Sequence, residues 1–370
     1  MIKNFQKLKI KKPTLVIDES KVRQNIQFMT EKANRNNLIF RPHFKTHQSA
    51  EIGEWFRKNG IDSITVSSVQ MAEYFAKNGW KDITIAFPVN LMEIKEINVL
   101  AKKIALNILI CDIETVESIE KKVTSKLGFF IKIDTGYHRT GFLIKDISQI
   151  EKILSIVKSN KNLQFKGFLT HAGNTYSTQS VSEISKIHTQ NLELMSKLKN
   201  HFIGDYPNII CSIGDTPSCS LMENFIGIDE IRPGNFAFYD LMQFKLGSCI
   251  KGNISIAVYC PIVSKNSDRN EIVIYGGAVH LSKEYLLDEK NNQYFGEVAI
   301  PEKSGWIFPE QPIKVTKLTQ EHGIFQISPE QLKTFKIGDI VAILPIHSCL
   351  TANLYKEYHT LSGDKIQRFY

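Results

Sequence analysis

No apolar run in this chain is long enough to cross a bilayer; the longest are short and broken by Lys, Asp or Asn. The opening segment, MIKNFQKLKIKKP, has no apolar h-region, so no secretory signal is expected and the cytoplasm is the expected location. Cysteine is sparse: six residues, at 111, 211, 219, 249, 260 and 349, with no CxxC spacing. In a cytosolic chain of 370 residues all six are expected to stay reduced. Five read as small apolar core residues, and Cys349 stands in a different context. Low-complexity segments and short repeats are missing as well. Acidic residues are outnumbered, 38 against 46 Lys and Arg, for a formal charge of +8. The basic residues are scattered, and their densest cluster is the short KLKIKK. With no zinc-finger spacing and no basic recognition helix, neither nucleic acid nor a membrane is an expected partner. The excess reads as a solvated basic surface, compatible with an interior that takes anionic substrates or phosphate.

What the chain has is an ordinary globular composition, 42% hydrophobic and 23% charged, in a strongly alternating arrangement. Ser20 is placed to cap a helix in which Val22, Ile26, Met29 and Ala33 recur at helical spacing. Eight strand-like runs follow: LIFRPHFK, SITVSS, ITIAFP, NILICD, FFIKID, FKGFLTH, NIICSIGD and DEIRPGNF. Helical patterns such as VQMAEYFAKNG separate most of them. The class is α/β, a (β/α)8 TIM-type barrel over residues 14–245. Beyond it, NISIAVYCPIV, NEIVIYGG, IKVTKLT, GIFQI and DIVAILPI are β-rich, which predicts an antiparallel β-domain over 246–370. The KPTLVID strand, within residues 1–19, is expected to join that domain.

Catalytic groups of such barrels lie at the C-terminal ends of the strands. Those ends carry Lys45, residues 134–139, 171–176, 214–218 and 232–235. A lone lysine at a strand end is ordinarily a solvated surface residue. A desolvated one inside a barrel mouth, with a lowered pKa, is a Schiff-base nucleophile.

The segment RPHFKTH around Lys45 resembles the cofactor-lysine segment of the D-serine dehydratase and D-threonine aldolase family. These are fold-type III pyridoxal-phosphate enzymes, related to alanine racemase. The resemblance continues through IDTGYHRTGF, GFLTHAGNTY, SIGDTPS, EIRPGNFAFYD and PIHSCLTAN, in the family order over residues 41–353. It implies that Lys45 carries pyridoxal 5'-phosphate and that Arg139 lies near the cofactor's phenolic oxygen. His171 is then packed against the ring, and Tyr176 is close to substrate. Gly214, Asp215 and Thr216 form the phosphate turn. Arg232 faces the ring nitrogen, Gly234 and Asn235 offer backbone amides to the phosphate, and Tyr239 adds a contact. An arginine at the ring nitrogen keeps the pyridine neutral and the cofactor a weaker electron sink. Asp134 reads as a barrel-interior hydrogen-bonder.

In an extended segment His347 and Cys349 point to one face, where imidazole and thiolate suit Zn²⁺ or another divalent metal in an open site. Alone, H-x-C is weak; within PIHSCLTAN it matches the family's metal motif. The aldolase branch usually shows Asp at the position of Cys349 and the dehydratase branch Cys, which favours dehydration. The segment YGGAVHLSKE, with His280, and THQ in place of THK depart from the pattern and put substrate identity in doubt. His322 resembles a family position without a role we can assign.

The expected function is a PLP- and zinc-dependent lyase, a homodimer, that removes water from a β-hydroxy D-amino acid to give an oxo acid and ammonia. Retro-aldol cleavage to glycine and an aldehyde is the alternative. Racemisation needs a second base for which there is no convincing candidate. A non-catalytic PLP carrier would lack both the β-domain and the metal pair.

Overall fold

The computed structural model describes residues 8–369. They divide into two compact units: Gln27–Gly234 with Leu246–Ser248, and the described residues up to Ile26 with Asn235–Lys245 and those from Cys249 onward. The dividing lines differ from the expected break at 245/246. Asn235–Lys245 groups with the β-rich unit because the Met242 amide donates to the Ile346 carbonyl (3.1 Å) and the Asn235 amide group to Ser348 Oγ (3.0 Å).

In chain order the strands are β1 (Thr14–Ile17), then β2 (Ile39–Phe40), β3 (Ser63–Val66), β4 (Asp82–Pro88), β5 (Ala105–Ile110), β6 (Leu127–Lys132), β7 (Leu163–Leu169), β8 (Ile210–Ile213) and β9 (Glu230–Ile231). Helix α1 (Glu19–Arg35) follows β1. Between the later strands come α2 (Ala50–Arg57), α3 (Val69–Lys77), α4 (Ile94–Ala101), α5 (Ile113–Glu120), α6 (Ile147–Val157), α7 (Val181–Phe202) and α8 (Thr216–Leu221). Strands β2 to β9 form one parallel sheet in the order β2-β9-β8-β7-β6-β5-β4-β3. A parallel bridge between His43 and Thr65 brings its two edges together just past β2, so the sheet is a nearly closed eight-stranded barrel. Each of the eight strand-like runs contributes one strand.

Local chemistry explains the elements. Every residue of β3 and β6 is buried, as expected when helices cover one face of a parallel sheet and packed side chains the other. Ser180 caps α7 by accepting the Glu183 amide (3.2 Å), and Ile184, His188, Asn191, Leu192, Met195, Leu198 and Phe202 form its buried stripe. The α1 cap is Asp18 rather than Ser20. The Asp18 carboxylate accepts the Lys21 amide (3.3 Å) and the Ser20 hydroxyl (2.6 Å), which leaves Ser20 inside the first turn. Val22, Ile26, Met29 and Ala33 are fully buried, as their spacing predicts.

The second unit is built on a ten-stranded sheet. Its central strand β10 (Ile256–Asn266) runs antiparallel to β1, to β11 (Glu271–Tyr275) and to Ile340–Pro345. The sheet departs from pure antiparallel order where β1 pairs in parallel with Glu357–Thr360.

Candidate active site

The barrel strand ends bring a cationic cluster together. Lys45 lies five residues past β2, on the rim and exposed, so the expected desolvation is not what the structure shows. Because β2 ends at Phe40, the 41–45 segment leaves the sheet before the lysine is reached. His171 follows β7, and its Nδ1 donates to the Gly214 carbonyl, which can only accept. Burial, with the charges of Lys45, Arg139 and Arg232, drives the His171 pKa down to about 3, so the ring is neutral and Nε2 keeps its lone pair. Burial, then Lys45, Arg232 and His171, likewise hold His43 well below its usual range. Arg139 is exposed on the loop after β6 and lies over the Tyr137 ring (5.1 Å), which meets His171 edge-on at 6.0 Å. Asp134 accepts from the amides of Gly136 (2.9 Å), Tyr137 (3.0 Å) and His138 (3.0 Å), so its role is to pin this loop.

Tyr176 lies 6.3 Å from the His171 ring, and its hydroxyl accepts the Thr216 amide (3.1 Å). Asp215, in the expected phosphate turn, uses its side chain within the protein. Its buried carboxylate caps α8, accepting the Ser218 amide (2.8 Å) and the Thr175 hydroxyl (3.0 Å). A carboxylate there would repel a phosphate, so its side chain organises the turn and does not bind through it. Burial raises its pKa to about 6. Arg232 is buried, donating from Nε to Ser212 Oγ (2.6 Å) and from Nη2 to the Thr170 carbonyl (2.5 Å). Gly214 and Gly234 are required by close approach: a Cβ would come within 2.9 Å of the Arg232 carbonyl carbon or 2.7 Å of the His43 carbonyl oxygen.

Three groups escaped the sequence reading. Lys132, at the end of β6, is buried beside Arg139 and Arg232, and burial lowers its pKa to about 8. Ser212 and Glu230 hold Arg232 from below. The alternation of strand side chains places Ser212 and Gly214 on one face, a signal available in SIGDTPS; nothing local marks Lys132.

In the β-rich unit, His347 and Cys349 are hydrogen-bonded to each other. They reach this contact by a route other than the expected extended segment. The strand ends at Pro345, His347 is extended (φ −129°, ψ 104°), and Ser348–Asn353 is helical. The turn starts at Ser348 because the buried Asp240 carboxylate accepts its amide (2.8 Å). Burial alone would lower the His347 pKa. The hydrogen bond and charge of Cys349, then Asp240 and Glu284, raise it to about 9. The Asn235 side chain joins this cluster: Nδ2 donates to Asp240 Oδ2 (2.6 Å) and Ser348 Oγ (3.0 Å) and lies 3.6 Å from Cys349 Sγ. Tyr239 is buried in the left-handed region (φ 48°), its amide donating to the Asn235 carbonyl (2.8 Å).

Both clusters fit the groups they are expected to hold. In the barrel, Lys45, Lys132, Arg139 and Arg232 outnumber Asp134, Asp215 and Glu230, whose oxygens are engaged in the structure itself; the surplus suits an anionic phosphate cofactor. At the second cluster, imidazole and thiol are in contact, and Asn235 Oδ1 is buried with no hydrogen-bond partner, free to accept from a metal-bound water. Among the described residues no group of three or more His, Cys, Asp or Glu is arranged to hold a metal ion.

Residues 17–241 match the family described as alanine racemase, N-terminal domain, and residues 255–361 the putative serine dehydratase domain. D-serine dehydratase from Dictyostelium discoideum is 32% identical, with 95% of this chain and 93% of that protein covered. The solved D-threo-3-hydroxyaspartate dehydratase of Delftia sp. HT23 superposes with a TM-score of 0.90 at 22% identity, covering 98% of each chain. A cysteine-to-alanine variant of that enzyme, solved in the metal-free form, and a histidine-to-alanine variant match with TM-scores of 0.90 and 0.89, both at 22% identity; both cover 98% of this chain, and 98% and 96% of theirs. By these matches the chain belongs to the family of alanine-racemase-like proteins that includes the D-serine dehydratases.

Proposed function

We propose that this protein is a PLP- and zinc-dependent lyase that eliminates water from a β-hydroxy D-amino acid, yielding an oxo acid and ammonia. The observation that carries the reading is the conjunction of Lys45 in a cationic barrel mouth with the His347–Cys349 contact. The name of the Dictyostelium relative and the metal-free cysteine variant of the Delftia enzyme support it.

When bound, pyridoxal phosphate supplies an electron sink for the α-carbon and zinc a Lewis acid for the β-hydroxyl. The chain's own groups do the rest. Lys45 Nζ anchors the cofactor covalently and, once released by the substrate amine, accepts the α-proton. His171 offers a neutral face, because its proton is committed to the Gly214 carbonyl. Arg139 and Arg232 balance negative charge on the cofactor. Arg232, as a guanidinium, would donate to the ring nitrogen without giving up its proton and would leave the cofactor a weaker electron sink. We assign the phosphate to backbone amides of the 214–216 turn and Gly234, and give Asn235 and Tyr239 to the cluster of the β-rich unit. His347 and Cys349 hold the metal, and the proton they share leaves as it enters. The six free thiols support the cytoplasm as the location, and a homodimer is the assembly the family resemblance implies.

Incubation with D-serine, D-threonine and D-threo-3-hydroxyaspartate, scored for ammonia against glycine, tests the reading. Ammonia and an oxo acid are expected; glycine plus an aldehyde as the main products would replace it with the aldolase reading.

A further inference from the structure

Beneath Arg232 a chain of charge-assisted hydrogen bonds runs through the barrel to its far rim. Arg232 Nε donates to Ser212 Oγ (2.6 Å), Ser212 donates to Glu230 Oε1 (2.6 Å), and Glu230 Oε2 accepts from Arg41 Nε (2.6 Å). Arg41 closes the chain on the part-exposed Asp82 with two contacts, at 2.7 and 3.1 Å. Ser212 and Glu230 are fully buried, Arg41 and Arg232 nearly so.

The polarity of the chain is fixed by chemistry. A guanidinium only donates and a carboxylate only accepts, so the serine proton points to Glu230 and its lone pair to Arg232. A hydroxyl polarised by a carboxylate is the stronger acceptor, and a bond made to a guanidinium is charge-assisted. Arg232 Nε and Glu230 Oε1 also form a long ion pair at 3.9 Å, beyond hydrogen-bond distance, so the bonded link between them runs through Ser212. Arg232 meanwhile sits in a field of like charge from Arg41 and Lys132. Its Nη2 is held by the Thr170 carbonyl (2.5 Å), while Nε is hydrogen-bonded to Ser212 alone, so the relay fixes the Nε edge of the guanidinium.

We propose that Ser212 and Glu230 are positioning residues for Arg232, holding its guanidinium in the orientation and charge state that the cofactor's ring nitrogen meets. This rests on the reading in which Arg232 faces that nitrogen. Arg41, itself paired with Asp82, holds the Glu230 carboxylate in place from the opposite rim.

The test uses the cofactor-loaded protein. Ser212→Ala removes the relay with little change in volume. Its visible absorption should titrate with a midpoint displaced by about half a pH unit or more, and kcat should fall about 10-fold with KM within about twofold. Ser212→Thr, which keeps the hydroxyl, should restore both. Glu230→Gln should act in the same direction and also lower Tm, since it leaves Arg41 and Arg232 without a shared anion. A folded Ser212→Ala protein with wild-type titration and kcat would overturn the proposal. Arg232→Lys separates the two layers: a displaced titration there, with none in Ser212→Ala, removes the relay and keeps the cofactor reading. A wild-type titration in Arg232→Lys removes both.

Discussion

Lys132 shows what the barrel mouth costs in stability. Its side chain is 5% exposed, Nζ donates to the Ile133 carbonyl (2.6 Å), and burial followed by the charge of Arg232 lowers its pKa from 10.5 to about 8. The folded protein therefore sheds this proton near pH 8, while the unfolded chain keeps it to about 10.5. Between those values the unfolded state binds more protons, so this group's contribution to stability rises with pH. Below pH 8 the full penalty stands, on the order of 3 kcal/mol. Lys132→Met should thus stabilise the cofactor-free protein at pH 7 by about 1–3 kcal/mol in urea unfolding, with the gain shrinking towards pH 10. The same variant should bind pyridoxal phosphate more weakly, because the mouth loses a positive charge. A variant no more stable than wild type at pH 7 would contradict this account.

Lys45 makes the complementary case. Lys45→Ala removes anchor and base together and should lower kcat by about 10²–10⁴ or more. Borohydride reduction followed by peptide mapping should place the label on Lys45, and label on Lys132 would reassign the anchor. Lys45 ends the run LIFRPHFK, where RPHFKTH carries a family pattern, whereas Lys132 lies inside FFIKID with no motif to mark it. The charges acting on Lys132 come from Arg232 and Arg139, contributed by other parts of the barrel, and spacing along one strand does not encode that. GDTPS matches a phosphate turn, and what the motif does not encode is that the Asp215 carboxylate caps α8.

At the scale of elements, apolar runs reported every barrel strand because parallel strands are buried on both faces, and that signal is continuous. Termini were less legible. Asp18 displaced Ser20 as the α1 cap, since two adjacent candidates compete for the same amides. The helix at Ser348 starts where Asp240, more than a hundred residues earlier, catches its amide. The turn carrying Gly234 is the sharpest test at this scale. A methyl group there would lie 2.7 Å from the His43 carbonyl oxygen and 3.0 Å from Thr46 Oγ1, so backbone has to move. Gly234→Ala should lower stability by about 1–3 kcal/mol in thermal or urea unfolding. It should also weaken cofactor binding, measured by equilibrium dialysis, because the shift is transmitted to the segment holding Lys45. Unchanged affinity in a destabilised protein would confine Gly234 to packing.

At the scale of the whole molecule, Lys45 and the 214–216 turn belong to one compact unit, and His347 and Cys349 to the other, which also carries Asn235 and Tyr239. Each unit has its own core: Leu109, Phe130 and Leu169 in the barrel; Val258, Tyr259 and Ile343 in the β-rich unit. Two protein ligands that follow one another in a strand-to-helix turn cannot hold a fold together as a closed four-ligand site does. A chelator should therefore strip the metal with Tm changed by no more than about 2–4 °C, the equivalent of about 1 kcal/mol in a domain of this size. The visible absorption of the bound cofactor should persist, since Lys45 and the 214–216 turn owe nothing to His347. Exchange of the substrate α-proton with deuterated solvent should persist too, because Lys45 needs no metal to accept it. Ammonia release should fall by orders of magnitude, because hydroxide then departs without a Lewis acid. His347→Ala and Cys349→Ala should each reproduce chelation, with partial rescue by excess Zn²⁺ where one ligand remains. The pattern separates three steps that total activity would merge: cofactor binding, proton abstraction and departure of the hydroxyl. Full ammonia release from a metal-free sample would show that the His347–Cys349 pair serves some other purpose, and loss of α-proton exchange on chelation would move the metal's role forward to the step assigned to Lys45.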